Sequence, residues 1–132
     1  TVVSGQKIYD QLMNRARMEI RGIRDMLLDD PEDLAPVICN LAYQAVEKML
    51  KAFLLSRGVE DIQSHDVREL FRNCLAIDAG LAEFQEQIDA ISFFVPADEW
   101  GCNLGPVEQG QALAAYEQAV EIQGFLIDRI KE

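Results

Sequence analysis

The chain has one histidine, His65, and histidine is the side chain best suited to move protons near neutral pH. No cysteine or second histidine stands at the spacing that zinc ligands require, so His65 cannot form a zinc site. If His65 is structural, no base is left to activate a serine or cysteine. His65 stands beside Asp66 at a predicted helix start. We therefore predict that it contacts the backbone or Asp66, and a catalytic role is the alternative.

Three acidic side chains follow three-residue steps along the fourth predicted helix, at Glu83, Glu86 and Asp89. All-helical nucleotide pyrophosphatases bind Mg²⁺ through ExxE and ExxD pairs, and both patterns occur in this stretch. Those enzymes place the two pairs on separate helices, whereas the pairs here overlap and share Glu86. We interpret them as a solvated stripe and predict no metal site, with a magnesium-dependent nucleotide pyrophosphatase as an alternative.

Four arginines lie on the first predicted helix, at Arg15, Arg17, Arg21 and Arg24. The last three follow helical spacing and form one stripe. This stripe is either a solvated face opposite the apolar side of the helix or a receptor for an acidic partner or a nucleotide phosphate. The sequence does not decide between these two interpretations.

The net charge of −11 repels phosphate backbones, so nonspecific binding to nucleic acid is disfavoured. At 132 residues the chain is long enough for one domain, which we assign to residues 1–132. Three cysteines without CxxC spacing, Cys39, Cys74 and Cys102, indicate a reducing compartment rather than a disulfide framework. We predict that Cys39 and Cys74 are buried and small, and that the protein is cytoplasmic, with no membrane segment.

Apolar periodicity predicts five helices and no strand, hence an all-α, up-and-down bundle of four to five helices with a long C-terminal helix. The predicted bounds are 6–28, 31–57, 64–77, 81–94 and 106–131. A break at Asp29-Asp30-Pro31 would let Pro31 occupy a first helical turn and make the first two helices antiparallel. Small residues on the last helix would allow close approach by a neighbour in the bundle or by a second subunit.

The segment from Val95 to Pro106 is the one predicted long loop, and it contains Trp100. Loops of this length in compact domains are often functional. Trp100 either stacks on a base or partner, or folds back over the end of the bundle.

The stretch from Leu41 to Leu70 carries the most specific pattern. Glu47 and Lys51 stand four apart, acid first, which favours a surface ion pair. Gly58 follows the last periodic residues and can end the helix in the left-handed conformation. The next helix is capped either by Ser64 or by an Asp66–Glu69 pair, and the sequence does not choose between these caps.

This stretch resembles the signature of the HEPN domain family. The matching residues are Gln44, Ala45, Glu47, Lys48 and Lys51, the Leu54-Leu55-Ser56-Arg57-Gly58 ending, and Ser64-His65-Asp66. The resemblance implies a helical bundle of about this length, closed by a long helix such as Gly105 to Glu132. It also implies a homodimer, since many HEPN domains are dimers.

Many HEPN proteins are ribonucleases in which an arginine precedes a histidine with four to six residues between them. Histidine moves protons at the 2′-hydroxyl while arginine holds the phosphate. Gly58, Val59 and Glu60 occupy the positions where that arginine would precede His65, so the motif is absent. Phe94-Val95-Pro96 also stands where many relatives have Arg-Tyr-Pro. We therefore assign no catalytic residue, and an RNA-cleaving toxin with an atypical site is the second alternative enzyme.

The resemblance implies a partner, because HEPN domains are commonly encoded with or fused to minimal nucleotidyltransferases, in toxin–antitoxin pairs or related assemblies. We thus predict a helical interaction module without ribonuclease activity, with a nucleotide as its candidate ligand. By family position, the residues bordering the groove are Gln44, Glu47, Lys48, Lys51, Ser64, His65 and Asp66. Lys48 and Lys51 would meet phosphate, and Gln44 or Asp66 would form hydrogen bonds.

Overall fold

In a computed structural model of the chain, residues 2–95 and 107–131 are described. They form five α-helices and a short 3₁₀ helix, with no strand in these ranges, which confirms the predicted all-α bundle. The elements are α1 (Val2–Asp29), α2 (Ala35–Ser56), α3 (Val67–Ile77), the 3₁₀ helix (Ala79–Phe84), α4 (Gln85–Ser92) and α5 (Gln109–Lys131). No helix in the described part of the chain is long and apolar enough to cross a membrane.

Helix α2 is the centre of the bundle, because it contacts all four other α-helices. More than half of its residues are buried, including Ile38, Met49, Leu50 and Phe53. A helix that is apolar around most of its circumference must be covered on most sides. The other helices therefore form a shell around α2, and they leave partly exposed a strip along one side that contains Asn40, Gln44, Glu47 and Lys51.

Helix α2 begins at Ala35 rather than at the predicted Pro31. The intervening residues form a turn in which Asp30 Oδ1 accepts a hydrogen bond from the Asp33 N–H at 3.3 Å. Pro36 instead occupies the first turn of α2, where its missing N–H costs no helical hydrogen bond. The turn reverses the chain, so that Lys48 of α2 meets Glu19 of α1 across the pair.

The predicted fourth helix, 81–94, is divided into the 3₁₀ helix and α4. Asp78 caps the 3₁₀ helix, since its Oδ1 accepts from the Gly80 N–H at 2.9 Å. Residues three apart are aligned in a 3₁₀ helix, which turns both Leu81 and Phe84 into the core. A three-residue apolar step fits either kind of helix, and this is why the sequence pattern missed the division.

Helix α5 packs against α2 through buried small residues, Ala112, Ala115 and Ala119, together with Ile122 and Leu126. Alanines let two helix axes approach closely, and here the neighbour they admit is α2 within the bundle. Most of the loop predicted at 95–106, including Trp100 and Cys102, lies outside the described residues.

Candidate functional site

A compact polar cluster joins α2 to the segment before α3. Glu47 Oε2 lies 2.8 Å from Lys51 Nζ and 2.8 Å from His65 Nδ1, and those two nitrogens are 2.9 Å apart. The predicted Glu47–Lys51 pair is present, but it is partly buried rather than a surface pair, with about 15% of each side chain exposed. Only His65 reaches well into solvent, with 81% of its side chain exposed.

The ring of His65 can form either of two hydrogen bonds in this Glu47–Lys51–His65 cluster, depending on which ring nitrogen carries the proton. With the proton on Nδ1, the ring donates to the Glu47 carboxylate. With the proton on the other ring nitrogen, Nδ1 accepts from the Lys51 ammonium. The expectation that the His65 side chain contacts the backbone or Asp66 is therefore wrong, because Glu47 and Lys51 of α2 are the partners of its ring.

The end of α2 directs the following segment back across the helix. Gly58 adopts a φ of +86°, as predicted, its N–H donates to the Leu55 carbonyl at 3.1 Å, and the Val59 N–H donates to the Leu54 carbonyl at 3.0 Å. This pair of bonds is the Schellman arrangement that ends helices at a left-handed glycine. Residues 59–66 can then return along α2 toward Glu47.

Tyr43 fixes the backbone of the returning segment. Its hydroxyl donates to the His65 carbonyl at 2.9 Å and accepts from the Val67 N–H at 3.1 Å. Burial, followed by smaller repulsion from the carboxylates of Asp66 and Glu47, raises the pKa of Tyr43 above its ordinary value, although the Val67 N–H bond opposes the rise. The hydroxyl is therefore held in its neutral, bridging form.

The start of α3 shows which of the two predicted caps is used. Asp66 is the N-cap residue, with Oδ1 accepting from the Arg68 N–H at 2.9 Å. Ser64 Oγ accepts from the Asp66 N–H at 3.0 Å and donates to Glu69 at 3.1 Å, so it organises the turn before the helix. The helix consequently begins at Val67, three residues after the predicted Ser64.

A groove of about 420 Å³ opens beside the cluster, between the start of α3 and the end of α4. Its lining residues are Tyr43, His65, Asp66, Arg68, Ser92 and Val95. Arg68 is 59% exposed and lies 3.5 Å from Asp89, a loose and partly solvated ion pair. The groove thus presents an imidazole, a guanidinium and a carboxylate to solvent. We call it the α3 groove.

Sequence reasoning missed Tyr43 and Arg68 as site residues. Tyr43 stands four residues before Glu47, and Arg68 stands three residues after His65. The step from Tyr43 to Glu47 is a helical step that places both side chains on one face of α2, so that signal was available, whereas His65 lies before α3 and shares no helical face with Arg68. What that step does not reveal is that this face of α2 meets the start of α3.

Two of the predicted site residues have other partners. Gln44 donates to Asn40 Oδ1 at 2.7 Å, within α2. Lys48 Nζ lies 2.9 Å from Glu19 Oε2 of α1, and both side chains are about four-fifths buried. The structure therefore brings Glu47, Lys51 and His65 together, while Gln44 and Lys48 engage other groups.

The structure also places the acidic residues and the cysteines that the sequence singled out. Among the described residues, no three His, Cys, Asp or Glu side chains approach closely enough to hold a metal ion. Glu83 lies in the 3₁₀ helix, whereas Glu86 and Asp89 lie in α4. Cys39 and Cys74 are buried, as predicted, and burial raises the pKa of the Cys74 thiol to about 12, which keeps it protonated.

Comparisons with known proteins agree on one family. No curated protein matches the chain. The crystal structure of an archaeal HEPN homologue is similar, with a TM-score of 0.68 and 17% identity, over 92% of this chain and 97% of that one. At this identity the similarity shows the fold. The family model of the HEPN domain matches residues 9–99. Since that match covers most of the chain, the protein belongs to the HEPN domain family.

Proposed function

We propose that this HEPN domain is an interaction module that binds a phosphate-bearing ligand, with a nucleotide as the expected class, in the α3 groove. The observation that carries the proposal is that His65 and Arg68 line one open groove, and that the Lys51 ammonium lies 2.9 Å from His65 Nδ1, next to that lining. Such groups recognise phosphate through charge-assisted hydrogen bonds, and Arg68 can do so with two parallel bonds. A volume of about 420 Å³ falls within the range typical of small-ligand sites, roughly 300–1,000 Å³.

The cluster supports this role because it positions its donors before a ligand arrives. Glu47 holds Lys51 and His65 at hydrogen-bond distance, and Tyr43 holds the His65 backbone. Less side-chain freedom is then lost on binding. In this proposal Asp66 lines the groove and Ser64 organises the turn beside it. Gln44 and Lys48, which family position placed at the groove, have no direct part, because Asn40 and Glu19 engage them.

The family supplies the second half of the proposal. HEPN domains are commonly encoded with minimal nucleotidyltransferases, so we propose that this domain works with such a partner in a toxin–antitoxin or related assembly. A cytoplasmic location and a homodimer belong to the same proposal. Copurification from the source cell, followed by mass spectrometry, tests the partnership. Recovery of a nucleotidyltransferase supports it, and recovery of the domain alone counts against it.

Calorimetry with ATP and GTP tests the ligand. We expect binding by the parent protein and about tenfold weaker binding by Arg68→Ala or Lys51→Ala, the loss of roughly one charge-assisted hydrogen bond. Lys48→Ala should have a smaller effect, because Glu19 already engages that ammonium.

Arg72→Ala is the matched control for these variants. Arg72 is exposed on α3, has no ion pair with any described residue and does not line the α3 groove. The substitution removes the same charge from the same helix. Absence of binding by the parent protein, or equal losses in Arg72→Ala and Arg68→Ala, would refute the site.

A second candidate function is RNA cleavage in the same groove, and one observation favours it. His65 and Arg68 line one groove although the family's arginine–histidine order is absent. These are the two side-chain types that ribonuclease chemistry uses for proton transfer and phosphate contact. Incubation with end-labelled RNA tests this candidate. Cleavage that disappears in both His65→Ala and Arg68→Ala would favour the enzyme over the binding module.

A further inference from the structure

A second groove lies on another face of the molecule, between α1 and α5. Both helices pack on α2, and their outer flanks face each other across a cavity of about 380 Å³. The α1 side contributes Arg17, Ile20, Arg21 and Arg24, and the α5 side contributes Tyr116, Val120 and Gln123. The predicted arginine stripe thus forms one wall of a groove, whose opposite wall is uncharged.

The groove continues past Arg17 along the same two helices. Arg17 also lines a neighbouring cavity of about 390 Å³, together with Asp10, Met13, Ile127 and Ile130. Asp10 of α1 therefore lies near the end of α5, while Arg24 lies near Tyr116, as antiparallel helices require. From Asp10 to Arg24 the α1 backbone rises about 21 Å, at 1.5 Å for each residue.

The three arginines have no ion-pair partner among the described residues. No ion pair or hydrogen bond engages Arg17, Arg21 or Arg24 within that part of the chain, and all three are exposed. In contrast, Arg57, Arg68 and Arg129 each have a partner. This concentration of unpaired positive charge occurs in a chain with a net charge of −11.

We propose that the α1–α5 groove binds an amphipathic, acidic helix of a partner protein. Three features favour this occupant: an elongated shape of about 21 Å, apolar side chains along the α5 wall, and guanidinium groups in steps of four and three residues. Asp or Glu at matching steps on the bound helix would pair with the arginines. The apolar face of that helix would cover Val120, Ile127 and Ile130 of α5. A single phosphate ligand would fill only a fraction of this length.

The groove also defines the orientation of the bound helix. The arginines occupy one half, and Asp10 lies at the opposite end. The acidic residues of the partner should therefore concentrate toward the end that lies against Arg24. This site is separate from the α3 groove, so either proposal can fail without the other.

Selection from a displayed library of helical peptides, about 20 residues long, tests the inference without assuming a sequence. We expect the intact protein to enrich peptides with acidic residues beside an apolar stripe. Fluorescence anisotropy should then show at least tenfold weaker binding by Arg21→Glu and by Val120→Asp. Added salt should weaken the binding as well, because the guanidinium contacts lie at the surface.

Arg15→Glu is the matched control. Arg15 lies on the same helix, is exposed and lines neither cavity, so this variant should bind within about twofold of the parent. Circular dichroism checks that each variant remains folded. The proposal is overturned if no peptide is enriched, if the selected peptides lack acidic residues, or if Arg15→Glu and Arg21→Glu lose binding equally.

A second copy of the chain is the competing occupant, and light scattering distinguishes it. A dimeric parent that becomes monomeric in Arg21→Glu would show that the groove is an interface between copies. That result would overturn the assignment to an acidic partner helix. A parent whose mass is unchanged by Arg21→Glu, together with peptide binding, would support the assignment.

Discussion

Two clusters in this protein each pair a carboxylate with basic side chains, but only one of them leaves a basic group largely exposed to solvent. In the Glu47–Lys51–His65 cluster, one carboxylate holds two nitrogen groups and leaves the imidazole 81% exposed. In the second cluster, which we call the α5 clamp, Arg129 Nε lies 3.2 Å from Asp78 Oδ2 and the guanidinium lies 4.6 Å above the Phe125 ring. Arg57 completes the clamp by donating to the Arg129 carbonyl at 2.9 Å.

The difference lies in one side chain, because the Glu47–Lys51 pair is as well covered as the Arg129–Asp78 pair, whereas His65 is 81% exposed. The clamp surrounds its charges with a ring, a carboxylate and a backbone carbonyl, and it connects three distant parts of the chain. A charged group that is stacked and paired contributes to stability. The Glu47–Lys51–His65 cluster instead borders an open groove, so part of its hydrogen-bonding capacity faces solvent and remains for a ligand.

The largest expected effect is on the clamp. Arg129→Ala removes the ion pair with Asp78 and the stacking on Phe125, and it should lower the free energy of unfolding by about 2–3 kcal/mol. Urea unfolding followed by circular dichroism measures the change. Arg72→Ala, an exposed control, should change stability by less than about 0.5 kcal/mol. Equal effects would show that the clamp contributes no special stability.

Substitution of Tyr43 should have the next largest effect. Tyr43→Phe leaves the His65 carbonyl and the Val67 N–H without their hydroxyl partner, which should cost about 1–2 kcal/mol at pH 7. The same unfolding experiment measures it. Nucleotide binding should weaken too, because the His65 backbone is no longer fixed. An unchanged stability would mean that water replaces the hydroxyl at no cost.

Tyr43 also predicts a dependence of stability on alkaline pH. Its pKa is raised in the folded state, so above the ordinary value of 10.0 the unfolded chain loses this proton first. The contribution of Tyr43 is therefore complete below pH 10 and is lost as the pH rises above it. Unfolding between pH 9 and 11 should show a steeper decline for the parent than for Tyr43→Phe. The Cys74 thiol is present in both proteins, so its contribution cancels, and parallel curves would contradict the prediction.

Glu47→Gln should separate stability from binding. The amide keeps the shape of the side chain but removes the negative charge, and we expect a stability loss of no more than about 1 kcal/mol. Because Lys51 would no longer be neutralised, ATP should bind several-fold more tightly. Calorimetric titration of Glu47→Gln with ATP, in parallel with Lys51→Ala, shows whether the affinity rises or falls. Weaker binding in Glu47→Gln would contradict this prediction and show that the positioning of the donors by the carboxylate outweighs the effect of its negative charge.

The smallest stability effect is expected for His65→Ala, at less than about 0.5 kcal/mol, since most of that side chain is exposed. Ligand binding should nevertheless weaken measurably. A large stability loss with unchanged binding would reverse the comparison and make this cluster structural as well.

The comparison also shows which contacts the sequence predicted. The Glu47–Lys51 pair and the Gly58 helix end were readable because each depends on neighbours within one or two helical turns. The burial of Cys39 and Cys74 followed from their place in apolar patterns. Local spacing failed where two structures share one pattern, as in the division between the 3₁₀ helix and α4.

The sequence by itself determined the all-α class, the HEPN family and the end of α2, because periodicity, caps and a short signature are written in adjacent residues. Only the tertiary structure decided that Lys48 pairs with Glu19 and that His65 contacts Glu47. It also decided that Arg68 lines the same groove as His65. Glu19 and Lys48 are 29 residues apart, and Glu47 and His65 are 18 apart. Their meeting depends on how the helices pack, and no local pattern encodes that geometry.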